Sequence, residues 1–281
     1  MLSRALPFYE FKEGIFEIDE FDCASIFVIV GEDRALVLDT GTGIGDLRWV
    51  IENRITQKPY DVVITHNHTD HAGGAGFFDS VWVHEQDADW YNTEIGPELA
   101  NRKWYAGLIC QREDKSYAYD IEKDIVKWPK EPEKKQLRDR QTFDLGGRKV
   151  TIYHCPGHTK GQCVAIDNLS QTLYISDACN RQLLLSSKLA ETKEKVTKIA
   201  ADSLKHLYQM KGREFIDIYN AHHDFRGVGA PLEVNVLPNA IKCLEGILND
   251  SVIFKPVKDP LSDTGGKKLV AEYGNVHISY I

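Results

Sequence analysis

The amino-acid sequence predicts an α/β fold, on three observations. Short apolar, β-branched runs bounded by turn residues recur, as at 25–30, 35–38 and 61–65. Apolar residues at helical spacing separate some of them, Leu47, Val50, Ile51 and Ile55 in one stretch and Val196, Ile199, Leu204 and Leu207 in another. Both halves of the chain also repeat one order: strands, a helix, then a strand ending in a loop that carries His or Asp.

At 281 residues and 42% hydrophobic, the chain can bury a core without staples. Its 34 Lys and Arg against 42 Asp and Glu leave a formal charge of −8, which argues against a general nucleic-acid binder. No apolar run reaches the ~18 residues of a membrane span. Residues 1–7 lack the apolar stretch and cleavage site of an export signal, so a cytoplasmic protein is expected. Cys23, Cys110, Cys155, Cys163, Cys179 and Cys243 form no CxxC pair; most read as small buried hydrophobes, not as a disulfide framework or zinc knuckle.

Taken in order, the runs 25–30 and 35–38 form a hairpin turned at 31–34 and ending at Asp39-Thr40-Gly41-Thr42-Gly43. A helix around Leu47 to Ile55 stops at Pro59, and the strand 61–65 runs straight into His66-Asn67-His68-Thr69-Asp70-His71. A short strand follows at 81–84. Residues 85–140 are polar, aromatic and charged, with Trp90, Tyr91, Trp104, Tyr105 and Trp128, and 129–135 reads as a solvated loop. This segment is either an insertion held on the surface by its aromatics or a cap over a pocket. As a cap it covers its own chain or meets a second copy in a homodimer. Gly146-Gly147 turns a hairpin, and 149–153 leads to His154-Cys155-Pro156-Gly157-His158. Strands at 163–166 and 172–175 end in Ser176-Asp177. Beyond the helix at 191–210, a strand at 215–219 opens onto Asn220-Ala221-His222-His223-Asp224. A helix over 234–248 risks an early break at Pro238, and 276–280 is the last strand.

Metal-type residues thus stand at four strand ends: His66, His68, Asp70 and His71; His158; Asp177; and His222 with His223. Imidazole and carboxylate suit zinc, iron or manganese. In an extended loop His66 and His68 share a face, and Asp70 and His71 on the next turn can face a second ion.

The segment Thr65-His66-Asn67-His68-Thr69-Asp70-His71 resembles the HxHxDH signature of the metallo-β-lactamase superfamily. Leu38-Asp39-Thr40-Gly41 is similar to its early acidic loop, Pro156-Gly157-His158-Thr159-Lys160-Gly161 to its PGHTxG loop, and Ser176-Asp177 to its bridging aspartate. Asn220-Ala221-His222 resembles its last histidine loop. The resemblance spans about 25–225. It implies a single-domain αββα four-layer sandwich over 1–281, with two mixed β-sheets face to face and helices outside. It also implies two divalent ions, zinc first, with iron or manganese as alternatives. His66, His68 and His158 would hold one, Asp70, His71 and His222 the other, and Asp177 would bridge them. The chain departs from the family in flanking its last histidine with Ala221 and His223 in place of glycine. That departure leaves two candidates: His222 is the preferred ligand, and His223 is the alternative ligand, a substrate hydrogen-bond donor or a polar loop residue.

The activity so implied is hydrolysis of a small-molecule ester, thioester or lactone by a metal-bridging hydroxide, as in the glyoxalase II-like and lactonase-like members. Asp70 would be the catalytic carboxylate, accepting from the hydroxide and passing a proton to the leaving group. Asp39 either orients a ligand histidine or caps a turn. Phosphodiester or weak β-lactam hydrolysis is the alternative; Asp at 177, where many β-lactamases carry Cys, argues against antibiotics. Cys179 should point away from the site, while His84, His154 and His206 read either as supports behind the ligand residues or as structural. A diiron redox protein is disfavoured by His68, since an acidic residue is common there, and a non-catalytic metal-binding role by the filled ligand set.

Overall fold

Side chains alternate between two apolar faces along the central strands, and this alternation sets the layers. The computed structural model describes residues 5–113, 115–259, 262 and 265–281. The first four residues of the stretch read for an export signal lie outside these. Seven strands follow one another in the first sheet: β1 (Phe8–Lys12), β2 (Ile15–Asp19), β3 (Ser25–Val30), β4 (Ala35–Leu38), β5 (Tyr60–Val63), β6 (Ser80–His84) and β7 (Glu133–Leu137). Pairing is antiparallel from β1 to β4 and parallel from β4 to β7. On β3, Ile26 and Val28 point to one face of the sheet, and Phe27 and Ile29 to the other.

A five-stranded sheet holds β8 (Thr142–Asp144), β9 (Lys149–His154), β10 (Cys163–Asp167) and β11 (Thr172–Tyr174), while the outer strand at Asp217–Tyr219 becomes β13. The third sheet runs β12 (Gln182–Leu185), β16 (Val276–Tyr280), β15 (Lys267–Tyr273), β14 (Lys255–Lys258). Six α-helices complete the described chain: α1 (Leu47–Val50), α2 (Thr69–Ala72), α3 (Leu99–Cys110), α4 (Ile121–Asp124), α5 (Lys193–Met210) and α6 (Val236–Leu248).

Three cores give the layer order. Phe27, Leu36 and Val63 meet Val150, Ile152 and Ala165 between the first two sheets. Val50, Tyr105 and Ile109 of the first-half helices cover the outer face of the first sheet. Leu204, Leu207 and Leu244 of α5 and α6 cover Ile166, Leu183 and Ile278. This is the expected helix–sheet–sheet–helix sandwich, its second β layer divided between the five- and four-stranded sheets. Among the described residues no helix is long and apolar enough to cross a membrane.

Part of the expected solvated loop at 129–135 is instead strand. Glu133-Lys134-Lys135-Gln136-Leu137 is β7, paired in parallel with β6 at the sheet edge, where a strand can carry charge on both faces. Pro238 does not break α6. It is the third residue of that helix, in the turn whose N–H groups have no intrahelical acceptor. Trp90 and Trp128 pack edge to face at 5.3 Å, anchoring the 85–140 segment to the outer core.

Candidate metal centre

The strand ends named from sequence converge. The rings of His66, His68 and His158 form a near-equilateral triangle with centroids 4.6–4.8 Å apart. Beside it, Asp70, His71, Asp177 and His222 bring four donor atoms together. Asp177 Oδ2 lies 3.3 Å from His222 Nε2 and 3.5 Å from His71 Nε2, and 3.8 Å from His158 Nε2 of the first group. Asp70 Oδ2 is 3.5 Å from His222 Nε2. The Nε2 atoms of His66, His68, His71 and His158, with Asp177 Oδ1, are buried and lack a hydrogen-bond partner. Leaving such atoms unpaired costs on the order of 1–3 kcal/mol each, so this donor set fits bound metal.

The backs of the rings decide what the inward nitrogens present. His71 Nδ1 donates to Asp39 Oδ2 at 2.8 Å, and His158 Nδ1 donates to the Leu184 carbonyl at 2.8 Å. The Thr65 hydroxyl donates to Asp39 Oδ2, so its oxygen is left to accept from Ser176 Oγ and from His66 Nδ1. In three histidines the proton on Nδ1 is thereby spoken for, and the Nε2 lone pair faces the centre. Asp39 is thus the orienting carboxylate of the two sequence readings. It adopts φ of +68°, and its Oδ1 also accepts from Thr65 N.

Charge divides the two groups. Burial, then the neighbouring His71 and His158 rings, hold His66 well below the ordinary histidine range. Burial, then His68, pushes His158 down to about 4. Burial also opposes the charged form of His71, but Asp70, Asp39 and Asp177 outweigh it and raise its pKa. Burial would raise Asp177, yet His222 and His71 keep it well below the carboxylate range.

Three buried anchors, none apparent from sequence, hold the loops. Asp87 accepts from Thr159 Oγ1 at 2.5 Å and Gly161 N at 2.7 Å, tying down the loop of His158. Glu17 and Arg226 form a two-pronged pair, with Arg226 also donating to Asn220 O beside His222 and standing over the rings of Phe27 and Tyr219. Glu20 accepts from the N–H groups of Thr42, Gly43 and Ile44, which fastens the loop after Asp39. Gly41 there has φ of +67°, and a Cβ would stand 2.4 Å from the Glu20 carboxyl.

Burial, opposed by those N–H groups, raises Glu20 to about 7 from 4.5. Between these values the folded state holds a proton that the unfolded state has lost, so stability should fall by about 3 kcal/mol as pH rises through the window. Urea unfolding of wild type and Glu20→Gln between pH 5 and 7.5 checks this. The wild type should show a fall that the variant lacks, and parallel curves would remove Glu20 as its source.

Other sequence candidates sit elsewhere. His223 turns toward Asp19 and Asp22, at 3.3 and 3.8 Å. His84 stacks on His154 at 4.1 Å, and Cys179 is buried in the apolar core under α5. A pocket of about 120 Å³ opens over Asp70, Asp177 and His222, with Ile95, Tyr105 and Arg112 of the 85–140 segment in its wall. That segment therefore borders the pocket of its own chain, through few of its aromatics.

Residues 21–181 match the family model of the metallo-beta-lactamase superfamily. The human acyl-coenzyme A thioesterase MBLAC2 (Homo sapiens) is 26% identical over 204 residues, 62% of this chain and 67% of that protein. A metallo-beta-lactamase from Pontibacter korlensis superposes with a TM-score of 0.57 at 16% identity, covering 86% of this chain and 99% of that one. The sec-alkylsulfatase Pisa1 from Pseudomonas sp. gives 0.62 at 15% identity, covering 88% and 42%. The chain belongs to the metallo-beta-lactamase superfamily, as a hydrolase.

Proposed function

We propose that the protein is a dinuclear metal-dependent hydrolase acting on thioesters. The observation that carries this reading is the convergence of five buried, unpartnered donor atoms from His66, His68, His71, His158 and Asp177. His66, His68 and His158 would hold one ion, zinc by donor type, and Asp70, His71 and His222 the second, with Asp177 shared. Bound there, two ions would lower the pKa of a water and polarise a carbonyl. The protein's own part is positional and protonic. Asp39, Thr65 and the Leu184 carbonyl keep the imidazoles in one tautomer and orientation. Asp70, part exposed to the pocket, accepts the proton of the attacking water and delivers it to the departing thiolate. Ile95, Tyr105, Leu184 and Phe225 give the wall an apolar stretch for an acyl group. The thioesterase relative supports thioesters over lactones and phosphodiesters.

The test is metal content after purification without added metal, together with a panel of an acyl-CoA, a glutathione thioester, an acyl-homoserine lactone, a nitrophenyl phosphodiester and a chromogenic β-lactam. About two ions per chain and preferred thioester cleavage are expected. Less than one ion after reconstitution would end the dinuclear reading; preference for another substrate would end the thioester one.

A further inference from the structure

One residue borders both the metal pocket and a second cavity. Lys268 of β15 lines the pocket of Asp70 and His222, and it also lines a cavity of about 640 Å³ bordered by Lys193, Phe254 and Tyr280. The Lys268 side chain is only 18% exposed, and among the described residues its nearest carboxylate oxygen is Asp259 Oδ1, at 3.8 Å. Burial lowers its pKa, as befits an ammonium short of compensation. Arg112, the other cation of the pocket wall, is committed more closely, with Nη1 3.1 Å from Asp224 Oδ2.

Across the second cavity, Lys193 stands 5.1 Å over the Tyr280 ring, in the first turn of α5, where the helix N-terminus favours an anion. Phe254 and Tyr280, 6.2 Å apart between centroids, present aromatic faces to the same space. Glu194 and Asp250 also border it, so charge alone does not open the cavity to any anion. The chain as a whole carries −8, so a polyanionic substrate needs local cations near the reacting centre.

We propose that Lys268, with Lys193 across the second cavity, binds a phosphate of the substrate's thiol portion, making the enzyme selective for phosphorylated thioesters of the acyl-CoA kind. The inference rests on the thioesterase reading above and adds the residue that selects the substrate. The acyl carbon lies at the metal pocket and the thiol portion passes the Lys268 ammonium into the larger cavity.

Hydrolysis of butyryl-CoA and of the neutral S-butyryl-N-acetylcysteamine by the metal-loaded enzyme separates the two ideas. The ratio of kcat/KM for the two esters should fall about tenfold in Lys268→Met, which keeps the stem, and further in Lys268→Glu, chiefly through KM. An unchanged ratio in both variants overturns the lysine assignment while leaving a thioesterase. If wild type cleaves neither ester, the thioesterase reading fails, and calorimetric binding of CoA itself decides the anion site. Weaker binding in Lys268→Glu sustains it; equal binding, or none in wild type, overturns it.

Discussion

Asp177→Asn is expected to leave the fold intact and to cut hydrolysis by on the order of 10³-fold, with bound metal falling below two ions per chain. Its Oδ2 lies within 3.8 Å of the inward nitrogens of three histidines from both donor groups, and its Oδ1 is buried without a partner. Of the other carboxylates described near these nitrogens, Asp70 Oδ2 approaches His71 and His222, and Glu94 Oε2 approaches His68. The amide conserves shape but surrenders the negative charge that, on the dinuclear reading proposed above, would let two cations sit side by side, and one of its atoms becomes a donor facing imidazole. Circular dichroism, metal analysis and turnover on the preferred ester check the prediction together. Full metal content with near wild-type turnover would remove Asp177 from the shared position.

Arg226→Met should destabilise the protein by about 3–5 kcal/mol, the cost of stranding a buried partner charge. Both side chains of the Glu17–Arg226 pair are fully buried, and after the change Glu17 keeps, among the described residues, only the Gly229 N–H at 2.7 Å. The carbonyl of Asn220 would lose its guanidinium donors as well, so the chain entering His222 loosens and metal affinity should drop with stability. Urea unfolding of the single variants and of Glu17→Gln/Arg226→Met tests the pairing. The double variant should recover much of the loss, because it leaves no unpaired charge. A single-variant loss below about 1 kcal/mol would show that the pair does not hold the loop.

The interior of this fold was legible because buried strands must be apolar on both faces. β3 and β4 announce themselves as Val, Ile and Leu runs, and β16 was bounded correctly from its own sequence. The edges were not legible. The edge strands β1, β7 and β14 are rich in lysine or glutamate, since an edge strand needs a backbone partner and little hydrophobic pattern. At the site, the metal-type residues stood out because they cluster within a few positions at strand ends. Their supports did not. Glu17 and Arg226 are 209 positions apart, and Glu20 reaches Thr42 across 22; neither spacing has a sequence signature. Lys268 escaped notice for the same reason, as one lysine in a lysine-rich strand.

The link from β6 to β7 has a consequence for how this protein can diversify. Because the two strands run parallel, with Ser80 opposite Glu133 and His84 opposite Leu137, the chain between them must climb back along the whole height of the sheet. Such a return takes at least about a dozen residues, so the connection can be rewritten or shortened but never reduced to a tight turn. Its start lies at the end of the sheet that carries the candidate metal centre and its finish at the opposite end. Changes near Ile95 and Arg112 would therefore reshape the mouth of the pocket, while the stretch near Trp128 that closes on Gly73 stays under structural constraint. Substrate range can drift in the first half of this connection while the second half preserves the scaffold.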